Sequence, residues 1–163
     1  MSDEIEIRYK QPDDAPYIKS WFTRDILPWF PCQEDAEIDD TIKMMIHFAK
    51  WKCVLTAVHN GTPCGVVILY LHAYKKIAHQ CLMGILVSEE MRNKGVGTKM
   101  IERAMQIGKE QFKLDFIYIE VFEGNPALSL YRRLGFRETG YYKHWLKEDD
   151  GNYRGKITME KEL

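Results

Sequence analysis

Val87-Ser88-Glu89-Glu90-Met91-Arg92-Asn93-Lys94-Gly95-Val96-Gly97-Thr98 is the stretch that decides the reading of this chain. An apolar run over residues 81–87 stops abruptly at a short charged turn. Two glycines follow, one residue apart, at the mouth of a long amphipathic segment over residues 98–112, in which Met100-Ile101, Ala104-Met105 and Gly108 recur at helical spacing. The order is strand, glycine-rich turn, helix. A helix that starts on small residues exposes unpaired backbone N–H groups at the positive end of its dipole. Such an end binds phosphate.

The motif excludes two common phosphate ligands. A P-loop needs G-x-x-x-x-G-K-[ST], but here Gly97 is followed by Thr98-Lys99, with no earlier glycine in place. A dinucleotide fingerprint needs G-x-G-x-x-G with an acidic residue about 20 positions on, and the third glycine is missing. What stands here is R-x-x-G-x-G, as Arg92, Gly95 and Gly97.

A second segment follows one helix later. Phe116-Ile-Tyr-Ile-Glu120-Val121 reads as a strand, and Gly124-Asn125-Pro126-Ala127-Leu128-Ser-Leu130-Tyr131-Arg-Arg-Leu134-Gly135-Phe136 as a short helix with a glycine stop. Together the two segments resemble the acetyl-coenzyme A loop and the Asn…Tyr…Leu-Gly-Phe helix of the GNAT superfamily of N-acyltransferases. Asn125 and Tyr131 are six apart, where many members have seven, which leaves the Asn contact open.

The remaining chain agrees with that order. Residues 5–9 alternate as a half-buried strand, and Pro12-Asp13-Asp14 starts a helix with Asp as its cap. Two prolines make residues 27–31 irregular. Residues 40–50 are helical, with Ile42, Met45, Ile46 and Phe48-Ala49 as the apolar side. Strands follow at 53–59, 65–71, 81–87 and 116–122, the last too apolar for an edge. A short helix spans 126–134, and two antiparallel strands, 139–146 and 154–159, flank the Asp149–Asn152 turn. The expected fold is α/β: one domain over residues 1–163, with a mixed, mostly antiparallel central sheet flanked by helices. The resemblance implies that the strand before the phosphate loop and the next one splay apart, admitting an acyl-pantetheine arm.

Composition bounds the function. With 163 residues, 45% apolar and 29% charged, and a net charge of −1, the chain suits one soluble domain and carries no basic face for nucleic acid. No apolar run approaches a membrane span, and the acidic start Met1-Ser-Asp-Glu-Ile-Glu has no apolar signal region, so the expected location is cytoplasmic. Four cysteines without a C-x-x-C read as free thiols, and the five scattered histidines give no metal spacing. No metal is expected.

The resemblance implies transfer of an acetyl group from acetyl-CoA to a primary amine. It also implies the residues. Backbone N–H groups of Arg92, Asn93, Lys94, Gly95, Val96, Gly97 and Thr98 would face the pyrophosphate, with Arg92 adding a charge contact or staying a surface residue. Main-chain groups of Leu86 and Val87 would pair with the pantetheine as a missing strand does. Asn125 would bond the same arm, cap its helix, or both. Tyr131, a phenol of ordinary pKa about 10, is the candidate acid for the departing thiolate, or else a core residue. Glu120, an acid among apolar strand neighbours, is the candidate base, or half of an ion pair; His72, His79 and Glu89 are weaker alternatives.

The acceptor is a small-molecule amine or a peptide N-terminus, for which the aromatic Trp29-Phe30 and the acidic run of residues 34–40 suggest cation recognition. A solvated acidic helix start beside core aromatics explains the same residues with no ligand, and slightly better. The alternative to an enzyme is a non-catalytic acyl-CoA-binding sensor or interaction module of the same fold. In either case the chain is expected to be a monomer or homodimer.

Overall fold

In a computed structural model that describes residues 4–163, the elements follow the expected order. Strands β1 (Ile5–Tyr9), β2 (Val54–His59), β3 (Thr62–Leu71), β4 (Gln80–Val87), β5 (Phe116–Phe122), β6 (Arg137–Lys147) and β7 (Tyr153–Glu162) alternate with helices α1 (Ala15–Ser20), α2 (Asp35–Ala49), α3 (Val96–Glu110) and α4 (Leu128–Arg133). The reading of the first three residues as part of a signal-free N-terminus lies outside the described residues. No helix among those described is long and apolar enough to cross a membrane.

The seven strands form one sheet in the order β1-β2-β3-β4-β5-β7-β6. Every pairing is antiparallel except β4 with β5. That parallel pair is short. It holds Gln80 to Phe116, Cys81 to Ile117 and Leu82 to Tyr118, and then ends. Beyond it β4 stays on β3 as far as Val87, and β5 stays on β7 as far as Phe122. The two central strands therefore diverge, and a gap opens toward their C-terminal ends.

Alternation along the strands assigns the two faces of the sheet. A Cβ at Gly65 would meet Met100 Sδ at 2.8 Å, and Ile117 lies against Gly108, so α3 covers one face. Tyr70, of opposite parity, packs edge-on against Phe48 of α2, which covers the other. Ile119 and Val121 share the α3 face with Ile117 and are buried. Tyr118, Glu120 and Phe122 point to the α2 face, which near β5 and β7 remains open.

Local chemistry moves several boundaries. Glu34 and Glu37 form a capping box, and Glu37 also accepts from the Gln33 N–H, so α2 begins at Asp35 instead of residue 40. The acidic run thus lies in its first turns, with Asp39 paired to Lys19 and Asp40 to Lys43. Ile46 is exposed; Ile38, Ile42 and Met45 form the buried side. Asp14 does not cap α1. It closes a capping box on Gln11 and binds the Arg8 guanidinium through both oxygens, at 2.7 and 2.9 Å, and the Thr56 hydroxyl at 2.8 Å. Helix α3 starts at Val96, which brings Gly97 inside its first turn, and α4 is shorter than residues 126–134.

Candidate functional site

The loop from Ser88 to Gly95 joins the end of β4 to α3 at the open end of the gap. Gly95 takes φ +79°, a left-handed conformation that side chains resist, and stands as the helix N-cap with no side-chain cap. The first helical bond runs from Lys99 N–H to Gly95 C=O at 3.1 Å. The N–H groups of Val96, Gly97 and Thr98 are left without intrahelical partners. At Gly97 a Cβ would meet only Leu130 Cδ2, at 3.5 Å, so glycine there is no packing requirement. Asn93 also has positive φ, and Asn93 and Lys94 are exposed.

The β4 main chain is divided in its loyalties. Ser88 N–H donates to Cys64 C=O at 2.9 Å, which fixes the hydrogen-bonding phase of the β3–β4 ladder. Two residues back, the N–H and C=O of Leu86 face β3 as well. The groups turned to the gap belong to Met83, Ile85 and Val87. Arg92 already uses one of them: its Nε donates to Val87 C=O at 3.1 Å, while Nη1 pairs with Asp25 at 2.6 Å. Among the described residues, two buried side-chain polar atoms have no partner, Ser88 Oγ and Arg92 Nη2, and both belong to this loop.

Helix α4 presents Tyr131. Its entry is set by Asn125, whose Oδ1 accepts from Ala127 N–H at 2.9 Å, so part of this side chain serves as a local cap. Its exit is a Schellman motif: Phe136 N–H bonds Tyr131 C=O, and Gly135 N–H bonds Arg132 C=O, both at 3.0 Å. Gly135, at φ +88°, permits the turn. The apolar contact that completes such a motif is Tyr131 on Phe136, edge-on at 5.9 Å between ring centres. The Leu-Gly-Phe stop thereby fixes the tyrosine. Tyr131 is 8% exposed, and burial pushes its phenol up to about 12. Leu130, its neighbour, touches the Gly97 position, so α4 lies on the α3 side.

Glu120 projects from the opposite face. Its Oε1 accepts from Lys156 Nζ at 2.7 Å, and Lys156, only 7% exposed, lies 3.3 Å above the centre of the Trp145 ring. Beside it, His72 and Tyr118 stack and share a 3.3 Å hydrogen bond. Burial, with the Glu120 charge, raises the Tyr118 phenol. His79 and Glu89 join neither group. His79 packs against Phe116 at the closed end of the gap, and Glu89 lies in the loop. At Gly124, after β5, a Cβ would come within 3.9 Å of the Trp29 ring.

Sequence reasoning missed Lys156, Arg154 and Asp25. Lys156 and Arg154 lie two apart on β7, on the face of Phe122, and Arg154 sits between the rings of Trp29 and Phe122. An alternating pair of cations in a strand is the only trace that they leave in the sequence. Asp25 leaves none, because its partner is 67 residues away. No cluster of three or more His, Cys, Asp or Glu side chains that would hold a metal occurs among the described residues.

Comparison with known proteins agrees with this geometry. The N-alpha-acetyltransferase of Sulfurisphaera tokodaii is 33% identical over 73 residues, 44% of each chain, so the chain spans less than half the length of the first such relatives it matches. Spermidine N(1)-acetyltransferase of Escherichia coli K12 is 25% identical over 160 residues, 96% of this chain and 80% of that one. The fold matches the ribosomal-protein-alanine N-acetyltransferase of Brucella melitensis at TM-score 0.81 and 20% identity, covering 97% and 99% of the two chains. It matches yncA of Salmonella typhimurium, solved with acetyl-CoA, at TM-score 0.81 and 17% identity, covering 98% and 94%. The sequence model of the acetyltransferase (GNAT) family matches residues 16–136, which hold the glycine loop, the diverging strands and the Tyr131 helix, and the chain belongs to that family.

Proposed function

We propose that this protein is an N-acetyltransferase that moves the acetyl group of acetyl-CoA to a primary amine. The observation that carries the reading is the uncapped start of α3 at the open end of the β4–β5 gap. Three unpaired N–H groups, a glycine where the backbone must be approached closely, and an unpaired strand edge suit a diphosphate followed by an amide-bearing arm. The main-chain groups for that arm are the Val87 N–H and those of Ile85, since Arg92 holds the Val87 C=O, with Leu86 contributing the buried side chain beneath them. Arg92 through Thr98 contribute backbone, and Asn125 has its amide N–H₂ to offer beside its capping role.

When bound, acetyl-CoA supplies an activated thioester carbonyl. The chain's own part is then positioning and proton management. Tyr131, raised to about 12 by burial, keeps its proton at any physiological pH and can give it to a departing thiolate. The α2 face receives the acceptor. There Glu120 holds an ammonium group already, that of Lys156, which is the arrangement an incoming amine would meet. Glu120 acts on that amine through water or by charge, with aromatic surface from Trp29, Phe122 and Trp145 beside it. The relatives are by name an N-alpha-acetyltransferase and a spermidine N(1)-acetyltransferase, and a peptide alpha-amine or a small-molecule amine such as a polyamine is the proposed acceptor.

Isothermal titration with acetyl-CoA, followed by thiol release with spermidine and with an unblocked peptide, tests the proposal. Micromolar binding and transfer to one amine are expected. Tyr131→Phe should bind acetyl-CoA within about threefold of the wild type while kcat falls about 100-fold, the usual worth of a general acid. Binding without transfer to any amine would instead support the sensor reading, and no binding would overturn both.

A further inference from the structure

The sequence leaves the Arg92 side chain as a contact for phosphate or a surface charge, and its guanidinium is engaged in neither way. Nε donates to Val87 C=O at 3.1 Å and Nη1 pairs with Asp25 at 2.6 Å. Asp25 belongs to residues 23–30, a tightly turned segment between α1 and α2, with bonds from Ile26 and Leu27 N–H to Thr23 C=O and from Trp29 N–H to Ile26 C=O. The far end of this segment is held as well. Arg154 donates to Pro28 C=O and lies 5.3 Å over the Trp29 ring, with Glu148 bonding its Nε at 2.7 Å. The Trp29 ring also rests against Gly124, 3.9 Å from where a Cβ would stand.

These anchors have a common meaning in the topology. Arg92 follows the C-terminal end of β4, and Gly124 follows the C-terminal end of β5. Those are the two strands that separate. Residues 23–30 thus form a strap across the mouth of the gap. Arg154 also lies 5.6 Å over Phe122, which faces away from α3, so the strap crosses on the acceptor side. The glycine loop and the strap stand on opposite sides of one opening, and Arg92 joins them. Its Nη2 is buried there with no partner, although an unsatisfied buried donor is costly. The position is held in spite of that cost.

We infer that Arg92 is a positioning residue for the acceptor: its guanidinium ties the 23–30 strap to the glycine loop, and the Asp25–Arg92 pair sets the width of the acceptor entrance. The inference rests on the proposed acetyl transfer for its kinetic consequences, but not for its mechanical one. The acyl donor needs the Arg92 backbone; the acceptor needs its side chain. A phosphate-binding arginine would behave in the reverse way.

The test uses the full chain and the variants Arg92→Lys, Asp25→Asn and their combination. Hydrogen exchange of the amides in residues 23–30 is measured without ligand, titration gives the acetyl-CoA dissociation constant, and steady-state kinetics with spermidine and with an unblocked peptide give the acceptor KM. Expected are about three- to fivefold faster strap exchange, an acetyl-CoA constant within about twofold of the wild type, and an acceptor KM raised about three- to fivefold, the upper scale for one solvent-exposed ion pair. The double variant should be no worse than Arg92→Lys alone, because both changes remove one link. Unchanged strap exchange overturns the inference, whether or not the protein turns over either amine. So does a tenfold loss of acetyl-CoA affinity with an unchanged acceptor KM. A wild-type protein that binds no acetyl-CoA but whose strap loosens in the variants sinks the proposed function and leaves the tie standing.

Discussion

Gly97→Ala separates what the glycine loop does for folding from what it does for a ligand. Gly97 lies in the first turn of α3 with ordinary helical φ, and a methyl group there would make only a 3.5 Å contact with Leu130. Alanine in a helix is favoured over glycine by about 0.5–1 kcal/mol. The ligand-free variant should therefore be as stable as the wild type or slightly more so, with a midpoint raised by about 1–4 °C for a chain of this size. Binding should move the other way. A methyl group on the approach to the Val96, Gly97 and Thr98 N–H groups displaces a diphosphate from charge-assisted bonds worth about 1.5–3 kcal/mol each, so losing one weakens acetyl-CoA by about 10- to 150-fold. Gly95→Ala is the contrast. At φ +79° the cost of about 1–2 kcal/mol falls on the fold itself. Thermal unfolding without ligand and titration with acetyl-CoA measure the two effects separately. If Gly97→Ala binds acetyl-CoA as the wild type does, no phosphate sits on the start of α3, and the site must be sought elsewhere. If it unfolds well below the wild type, the helix start is tighter than these distances say.

Three further outcomes follow from the packing. Asp14→Asn should lower stability by about 2–3 kcal/mol, because it leaves the Arg8 guanidinium beside a neutral group in a largely buried site. Burial would raise the Asp14 carboxyl, but bonds from Arg8, the Gln11 N–H and Thr56 hold it below the usual range. Its contribution is thus complete above about pH 4 and is lost as the pH falls through the depressed folded value; denaturant melts at pH 7 and pH 3 should show the wild type and variant converging in acid, and a constant difference would contradict this account. Gly135→Ala, at φ +88° and with Lys161 Nζ 3.1 Å from the new methyl, should cost about 1–2 kcal/mol and disturb Tyr131 through the Schellman turn; a lowered kcat with unchanged acetyl-CoA affinity would show that link, and wild-type kcat would deny it. Glu120→Gln takes the carboxylate from the mostly buried Lys156 ammonium and should destabilise by about 1–2 kcal/mol whatever its chemistry, so the informative protein is Glu120→Gln with Lys156→Met, in which folding recovers; full activity in that double variant would remove Glu120 from the reaction.

Most of the fold is legible in the chain because its cues are local. The alternation of β1, the i, i+3, i+4 spacing of α3, the glycine that starts α3 and the glycine stop after α4 each specify their element within a few residues. The misplaced boundaries have local causes too. A Glu34–Glu37 box extends α2 by a turn, because a glutamate can cap as well as be solvated. Asp14 was open to reading as a cap because Arg8 and Thr56 meet it only when β1 and β2 pair in register.

The candidate site divides along the same line. The residues at the start of α3, and Tyr131 with its Gly135-Phe136 stop, are written in contiguous motifs, since a helix end and a Schellman turn are made from consecutive residues. Which main-chain groups of β4 face the gap depends on the phase of its ladder with β3, and a phase is a property of two strands. That Glu120 and Tyr131 emerge on opposite sides of β5, that Lys156 neutralises the first, and that Arg92 reaches across to Asp25 are long-range facts. A side chain's partner across a sheet or a gap is chosen by the folded surface, and no spacing along the chain records it. The sequence by itself determined the order of the elements and a phosphate-binding helix start; the tertiary structure alone decided where the strands part, what spans the opening, and which charges face it.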